Sequence, residues 1–253
     1  MKRAFIATLI LLLTQVGWSS PSNLDRILET GVLVVGTTAD YRPFTYREQG
    51  ELRGYDIDLA RLIAAELQVE IEFRPTSWSR LVPDLQEKKF QLAVGGITRT
   101  LPRQTRAGFT DPVLTIGKCP LVRQEDVHRF RSMELIDQPG VTIAVNPGGT
   151  NEKFVTDNVT RAKIVVLEDN LAIPQAVADG RADVMLTDNV EALMAAEKDP
   201  RLAAVSADKP WTVESLALMT DRDDQAFLNW LNLFLSQAEA DGRLSELRKK
   251  HGL

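Results

Sequence analysis

Short β-branched runs alternate with amphipathic stretches along most of this chain, and this alternation restricts its fold more than any other feature. Strands are predicted at 32–37, 69–73, 91–95, 141–145, 163–167 and 183–186. Apolar residues at helical spacing predict helices at 56–67, 79–88, 150–158, 170–179 and 189–197. Such a succession favours an α/β fold in which mostly parallel sheets are flanked by helices.

A weak internal repeat indicates two such units. Segment 81–94 aligns without a gap with segment 173–186, and each copy combines a helix, a tight turn and a buried strand. Common ancestry and the general likeness of βαβ units explain the repeat equally well. Both explanations predict two similar α/β units in one chain.

Ligands of open parallel sheets bind beyond the carboxyl ends of the strands. The first unit's strand leads into 95–98, which includes Thr98, and the second unit's strand leads into 187–191. We therefore expect these segments to form the walls of a cleft between two lobes. Segments 113–122 and 213–219 are predicted as crossing strands that form a hinge.

The N-terminus has the pattern of a secretory signal peptide. Two basic residues, Lys2 and Arg3, precede an apolar run at 4–13, and small residues follow. The run is shorter than the roughly 20 residues that a membrane span requires, so a membrane anchor is the weaker alternative. We predict a signal peptide at 1–20, a periplasmic location and no stable membrane insertion.

The remaining chain is predicted to divide into two lobes. Residues 21–118 and 219–253 are assigned to lobe 1, and residues 119–218 to lobe 2.

Composition excludes several functional classes. A single cysteine, Cys119, rules out an internal disulfide and a thiolate metal cluster. The two histidines, His128 and His251, are too few for a histidine metal site and argue against a serine–histidine triad. A net charge of −5 disfavours nucleic acid as a partner. The chemistry must therefore depend on carboxylates, hydroxyls and cations.

Segment 146–153 follows a predicted strand and opens a helix. Gly148 and Gly149 leave backbone N–H groups free to face an anion, and the Thr150 hydroxyl adds to that attraction. An ordinary capped helix start fits equally well. The segment lacks the spacing of a phosphate loop, and Asn146 and Asn151 are candidate ligand contacts within it.

Charged residues near the two predicted walls could bind or react. Arg103 could hold a carboxylate through two parallel hydrogen bonds, although most single arginines are solvated. Asp188 and Glu191 lie one turn apart at a helix start, where acids also simply favour the helix dipole. In an apolar pocket, such a carboxyl would have a raised pKa and could deliver a proton.

Five segments resemble the family 3 extracellular solute-binding proteins: 24–33, 54–60, 75–78, 96–98 with Arg103, and 109–112. The resemblance covers essentially the whole mature chain. It implies a two-lobed α/β fold of the type II periplasmic-binding-protein class, with a mostly parallel sheet flanked by helices in each lobe and a two-strand hinge.

The resemblance also implies roles for individual residues. Arg103 and Thr150 would hold the α-carboxylate of an amino acid, and Asp188 would take its ammonium group. The aromatic residues Tyr41, Phe44 and Trp78 would line the side-chain pocket.

Segments 136–141 and 145–154 resemble more narrowly the periplasmic cyclohexadienyl dehydratases, enzymes built on this fold. Lys118, Asp188 and Glu191 match as well. The resemblance implies that Glu191 is the general acid that converts prephenate to phenylpyruvate, or arogenate to phenylalanine. Lys118 would be a second cation for substrate carboxylate, and no metal or organic cofactor is required.

Three departures leave the substrate preference open. Pro102 stands where the family commonly has an acid, Val113 where a tyrosine is usual, and Gly95 where a serine is frequent. The alternative function is a non-catalytic polar amino-acid-binding protein of an ABC uptake system, with a membrane permease as its partner. Plain binders usually lack an acid at Glu191, so this residue separates the two functions.

Overall fold

A computed structural model describes residues 21–253, and the predicted signal peptide at 1–20 lies outside them. The helices are α1 (Asn23–Thr30), α2 (Tyr55–Leu67), α3 (Leu81–Gln86), α4 (Leu101–Gln104), α5 (Met133–Ile136), α6 (Thr150–Asn158), α7 (Ile173–Ala178), α8 (Asn189–Lys198), α9 (Gln225–Ala240) and α10 (Arg243–Lys250). Within residues 21–253, no helix is long and apolar enough to cross a membrane.

The strands are β1 (Val32–Thr37), β2 (Asp40–Tyr41), β3 (Thr45–Glu48), β4 (Glu51–Arg53), β5 (Glu70–Pro75), β6 (Leu92–Ala93), β7 (Ala107–Phe109), β8 (Leu114–Ile116), β9 (Lys118–Arg123), β10 (Thr142–Val145), β11 (Lys163–Val166), β12 (Val184–Asp188), β13 (Leu202–Ala204), β14 (Glu214–Leu216) and β15 (Met219–Asp221). Single 3₁₀ turns lie at Gln124–Asp126 and Asn170–Ala172.

Two five-stranded sheets form the frame, in the orders β5-β1-β6-β15-β7 and β11-β10-β12-β9-β13. The fourth strand of each order, β15 or β9, runs antiparallel to both of its neighbours. The other strand pairs are parallel. The predicted α/β fold is confirmed, but each sheet is mixed, because two of its four strand pairs are antiparallel. The aligned repeat strands β6 and β12 both hold the third place in their sheets.

Separate apolar cores support the two sheets. In the first, the buried faces of α2 and α9 pack with β1, including Ile63, Leu231 and Leu33, none of which is exposed. In the second, residues of β10 and β12 such as Ile143 and Val184 pack with helix α6. These cores hold the strand ends rigidly, which positions the loops that follow them.

The two crossing segments pair as β8 with β14, antiparallel. Each is divided rather than continuous: β8 and β9 are separated at Gly117, and β14 and β15 by two residues. A Cβ atom at Gly117 would lie 1.9 Å from the Thr212 carbonyl oxygen. The two chain passes therefore approach closely at this position, which admits only glycine.

A three-stranded antiparallel sheet, β2-β3-β4, was not among the predicted elements. Its strands have two to four residues and lack a β-branched run. The sheet matters for function because β2 carries Tyr41. The predicted lobe boundaries at 118/119 and 218/219 stay a prediction.

Candidate functional site

The segments that follow β6 and β12 face each other across a small cavity, as the strand-end rule predicts. The cavity has a volume of about 20 Å³, room for about one water molecule. Ten residues line it: Tyr41, Trp78, Gly96, Thr98, Asn146, Gly149, Thr150, Asn151, Asn170 and Asp188. Seven of the eleven predicted site residues are among them.

Hydrogen bonds cross this cleft and hold it shut. The Tyr41 hydroxyl donates to Asp188. The hydroxyls of Thr98 and Thr150 lie 3.2 Å apart, and Asn170 Nδ2 donates to the Asp40 carbonyl at 3.1 Å. Any ligand larger than water therefore requires these contacts to part.

A buried ion pair fills one side of the site. Lys118 and Asp188 are register partners on β9 and β12, and Lys118 Nζ lies 2.5 Å from Asp188 Oδ1. Their side chains are 1% and 3% exposed. Lys118 also donates to Thr150 Oγ1 at 3.1 Å. Since an unpaired charge here would be very unfavourable, the two groups depend on each other.

Glu191 lies in the first turn of α8 and is 4% exposed. Asn170 Nδ2 donates to its Oε1 at 2.7 Å, and the Thr187 hydroxyl donates to its Oε2. None of the salt bridges within residues 21–253 involves Glu191. Burial, aided by the nearby charge of Asp188, raises the pKa of Glu191 from 4.5 to about 8. The carboxyl is thus protonated at neutral pH and can act as an acid.

Glu191 does not itself line the small cavity. Its partner Asn170 does, and its other partner, Thr187, accepts a hydrogen bond at 3.1 Å from the lining residue Asn151. Asn170 was not among the site residues predicted from the sequence. It follows β11 in the connection to α7, so the strand-end rule that found the two walls could also have found it.

The aromatic residues form one wall. The rings of Tyr41 and Trp78 meet edge to face with centroids 5.9 Å apart. Phe44 is fully buried behind Tyr41, 5.0 Å between centroids, and supports the wall without lining it. Trp78 Nε1 donates to both carboxylate oxygens of Asp40 at 3.1 Å.

Arg103 lies beside the cavity rather than in its lining. It is half-buried, and its guanidinium donates to the Thr98 carbonyl at 2.9 Å. Burial lowers the pKa of Arg103 from its usual value. The remaining donors of this side chain are the ones that could reach a carboxylate in an opened cleft.

Three amide oxygens of the cavity lining are buried without a hydrogen-bond partner: those of Asn146, Asn151 and Asn170. Buried polar atoms in folded proteins nearly always have a partner. The Nδ2 groups of Asn151 and Asn170 already donate to other residues, so these amides offer their oxygens as acceptors for a donor of a ligand, such as a hydroxyl.

A buried carboxylate shapes the other wall. Asp56 accepts hydrogen bonds from the backbone N–H groups of Gly95 and Gly96, both at 2.7 Å. Gly96 has φ +69°, and a Cβ there would lie 2.4 Å from the Tyr41 ring. Burial raises the pKa of Asp56 to about 6. Asp56 therefore holds a glycine turn against which Tyr41 packs.

Comparison with known proteins gives a consistent family assignment. The profile of the bacterial extracellular solute-binding proteins, family 3, matches residues 33–253. The cyclohexadienyl dehydratase of Pseudomonas aeruginosa is 43% identical over 249 residues, covering 98% of this chain and 92% of that protein. The L-cystine-binding protein TcyJ of Escherichia coli is 26% identical over 229 residues, covering 90% and 85%.

Two solved structures extend the comparison. An ancestral amino acid-binding protein, a precursor of cyclohexadienyl dehydratase, superposes with a TM-score of 0.84 at 38% identity, over 91% of this chain and 99% of that one. An ancestral cyclohexadienyl dehydratase gives a TM-score of 0.58 at 51% identity, over 92% and 97%. The chain belongs to the bacterial extracellular solute-binding proteins, family 3, and is a homologue of the cyclohexadienyl dehydratases within it.

Proposed function

We propose that this protein is a cyclohexadienyl dehydratase, converting prephenate to phenylpyruvate, arogenate to phenylalanine, or both. The observation that carries the proposal is Glu191, a buried carboxyl without a cationic partner among the described residues, with a pKa of about 8. A ligand carrier gains nothing from a protonated acid beside its binding site. The 43% identity to a cyclohexadienyl dehydratase supports the same conclusion.

The proposed reaction needs one proton donor. The substrate's ring carboxylate leaves as carbon dioxide, its bonding electrons complete the aromatic ring, and the ring hydroxyl leaves as water. Glu191 protonates that hydroxyl as it departs. When the lobes part, Asn170 loses its bond to the Asp40 carbonyl, and a substrate can then enter beside the Asn170–Glu191 pair.

The surrounding groups bind and orient the substrate. Thr150 and the N–H groups at the start of α6 face a substrate carboxylate, with Arg103 and Lys118 as the cations of the site. The amides of Asn146 and Asn151 supply further hydrogen bonds. Closure of the lobes then excludes water from the reacting carboxylate.

The Lys118–Asp188 ion pair argues against the alternative function, a non-catalytic amino-acid carrier. In the carrier, Asp188 would take the ligand's ammonium group. Here Lys118 already lies 2.5 Å from Asp188. An amino acid would have to compete with a cation that belongs to the protein, which lowers its affinity.

We also propose export to the periplasm by a signal peptide at 1–20, and lobe boundaries at 118/119 and 218/219. The extracellular family supports the location. The places of β9 and β15 in the two large sheets support the boundaries.

The function is tested by adding prephenate or arogenate to the purified protein and following phenylpyruvate or phenylalanine. Glu191→Gln keeps the side-chain size and removes the acid, so turnover should fall at least about a thousandfold. Glu246→Gln, on the exposed face of α10, is the matched control and should keep full activity. Tight calorimetric binding of an amino acid without any turnover would support the carrier instead.

A further inference from the structure

A second cavity of about 620 Å³ borders Glu191, between α7 and α8. We call it the rear groove; its lining includes Glu191, Met194, Ala195 and Lys198 on α8 and Pro174 and Gln175 on α7. Its lining and that of the small cavity share no residue. Glu191 lines the groove and hydrogen-bonds Asn170, which lines the small cavity. It therefore connects the two spaces.

The proposed reaction consumes protons from solvent. Prephenate carries two carboxylates, and its products are phenylpyruvate with one carboxylate, carbon dioxide and water. The proton that balances this equation leaves Glu191 for the departing hydroxyl oxygen, and Glu191 is left as a carboxylate. Each turnover must therefore return one proton to a side chain that is only 4% exposed.

The substrate side is a poor route for that proton while the lobes are closed. The small cavity holds about one water, and hydrogen bonds from Tyr41 and Asn170 span the cleft beside it. The rear groove is large enough for many waters. Four charged side chains also line it: Arg42, Glu197, Lys198 and Asp199.

We propose that Glu191 is reprotonated through the rear groove rather than through the cleft that admits the substrate. This inference rests on the proposed dehydratase function. It assigns Met194 and Gln175, which line the rear groove and not the small cavity, to the control of proton supply.

Tryptophan substitutions test the route by filling the groove. Met194 is half-buried one turn after Glu191, and Gln175 is exposed on the facing helix, so Met194→Trp and Gln175→Trp narrow the groove from both sides. Leu193→Trp is the matched control, because Leu193 is 51% exposed on α8 and does not line the groove. Phenylpyruvate is followed by rapid mixing with excess prephenate.

The filled variants should form the first equivalent of phenylpyruvate at the wild-type rate, because Glu191 starts protonated. Later turnovers should be slower by about tenfold. The control should behave as the wild type in both phases.

Three results separate the possible failures. If the wild-type protein forms no phenylpyruvate, the proposed function itself is refuted. If the wild type is active and Gln175→Trp matches Leu193→Trp in both phases, the route is refuted. Equal slowing of first and later turnovers in both filled variants also refutes it, since that pattern reports damage to the chemical step.

Discussion

Replacing Glu191 by glutamine should make the protein more stable at high pH. The folded-state pKa of Glu191 is about 8, above its ordinary value of 4.5. Below pH 4.5 the carboxyl is protonated in both the folded and unfolded states. As the pH rises from 4.5 to 8, only the unfolded chain releases the proton, so the wild-type protein loses stability. Above pH 8 the loss is complete.

The size of this effect follows from the same two pKa values. Each pH unit between 4.5 and about 8 lowers the free energy of unfolding of the wild type by about 1.4 kcal/mol. The total loss therefore has an upper limit of about 5 kcal/mol. Water that enters around an ionised carboxylate lowers the real figure to about 2–4 kcal/mol. Glutamine keeps an oxygen that can accept the Thr187 hydrogen bond and does not ionise, so Glu191→Gln avoids the loss.

Urea denaturation at pH 5, 7 and 9 measures the effect. The free energy of unfolding of Glu191→Gln minus that of the wild type should increase steadily over this range. Glu246→Gln should show no such trend, because its side chain is exposed. Parallel curves for the wild type and Glu191→Gln would refute the argument that burial keeps this carboxyl protonated. Turnover should decline on the same pH axis, because ionisation above pH 8 removes the acid.

Three further substitutions test the walls of the site. Lys118→Met leaves a buried carboxylate unpaired and should lower the free energy of unfolding by about 3–5 kcal/mol. Lys153→Met removes the cation of an exposed pair and should change the free energy of unfolding by less than about 1 kcal/mol. Similar urea midpoints for the two variants would contradict this prediction. Gly96→Ala places a Cβ 2.4 Å from the Tyr41 ring and should reduce kcat/KM at least about tenfold. Gly31 has a similar φ but open space around its Cβ position, so Gly31→Ala should keep the wild-type kcat/KM. Asp56→Ala leaves two backbone N–H groups without their acceptor, and should lower the thermal midpoint and raise KM; an unchanged KM would contradict its positioning role.

Local sequence patterns were sufficient to predict most of the strands and helices of the two large sheets. The predicted bounds of the first strand, 32–37, and of the helix at 150–158 agree with β1 and α6. The periodic spacing of apolar residues involves only residues close in sequence, so it can be recognised without the tertiary structure. Shorter elements were harder to predict. β6 has two residues where five were predicted, and β2, β3 and β4 have no clear sequence pattern.

The strand-end rule brought together most of the candidate site. It placed Thr98 and Asp188 on opposite walls, and both line the cavity. It did not predict that Arg103 would lie outside the lining with its guanidinium on the Thr98 carbonyl. Where a long flexible side chain ends depends on its packing, which the position of its Cα does not determine.

The sequence by itself determined the α/β frame, the two facing walls and the acid one turn after Asp188. Only the tertiary structure decided the chemical state of these groups. Lys118 meets Asp188 across 70 residues of chain, and Asn170 reaches Glu191 from a different connection. A pKa depends on how much water the whole surroundings exclude and which charges remain nearby. Those surroundings come from distant segments, so the proton on Glu191 is a property of the folded protein.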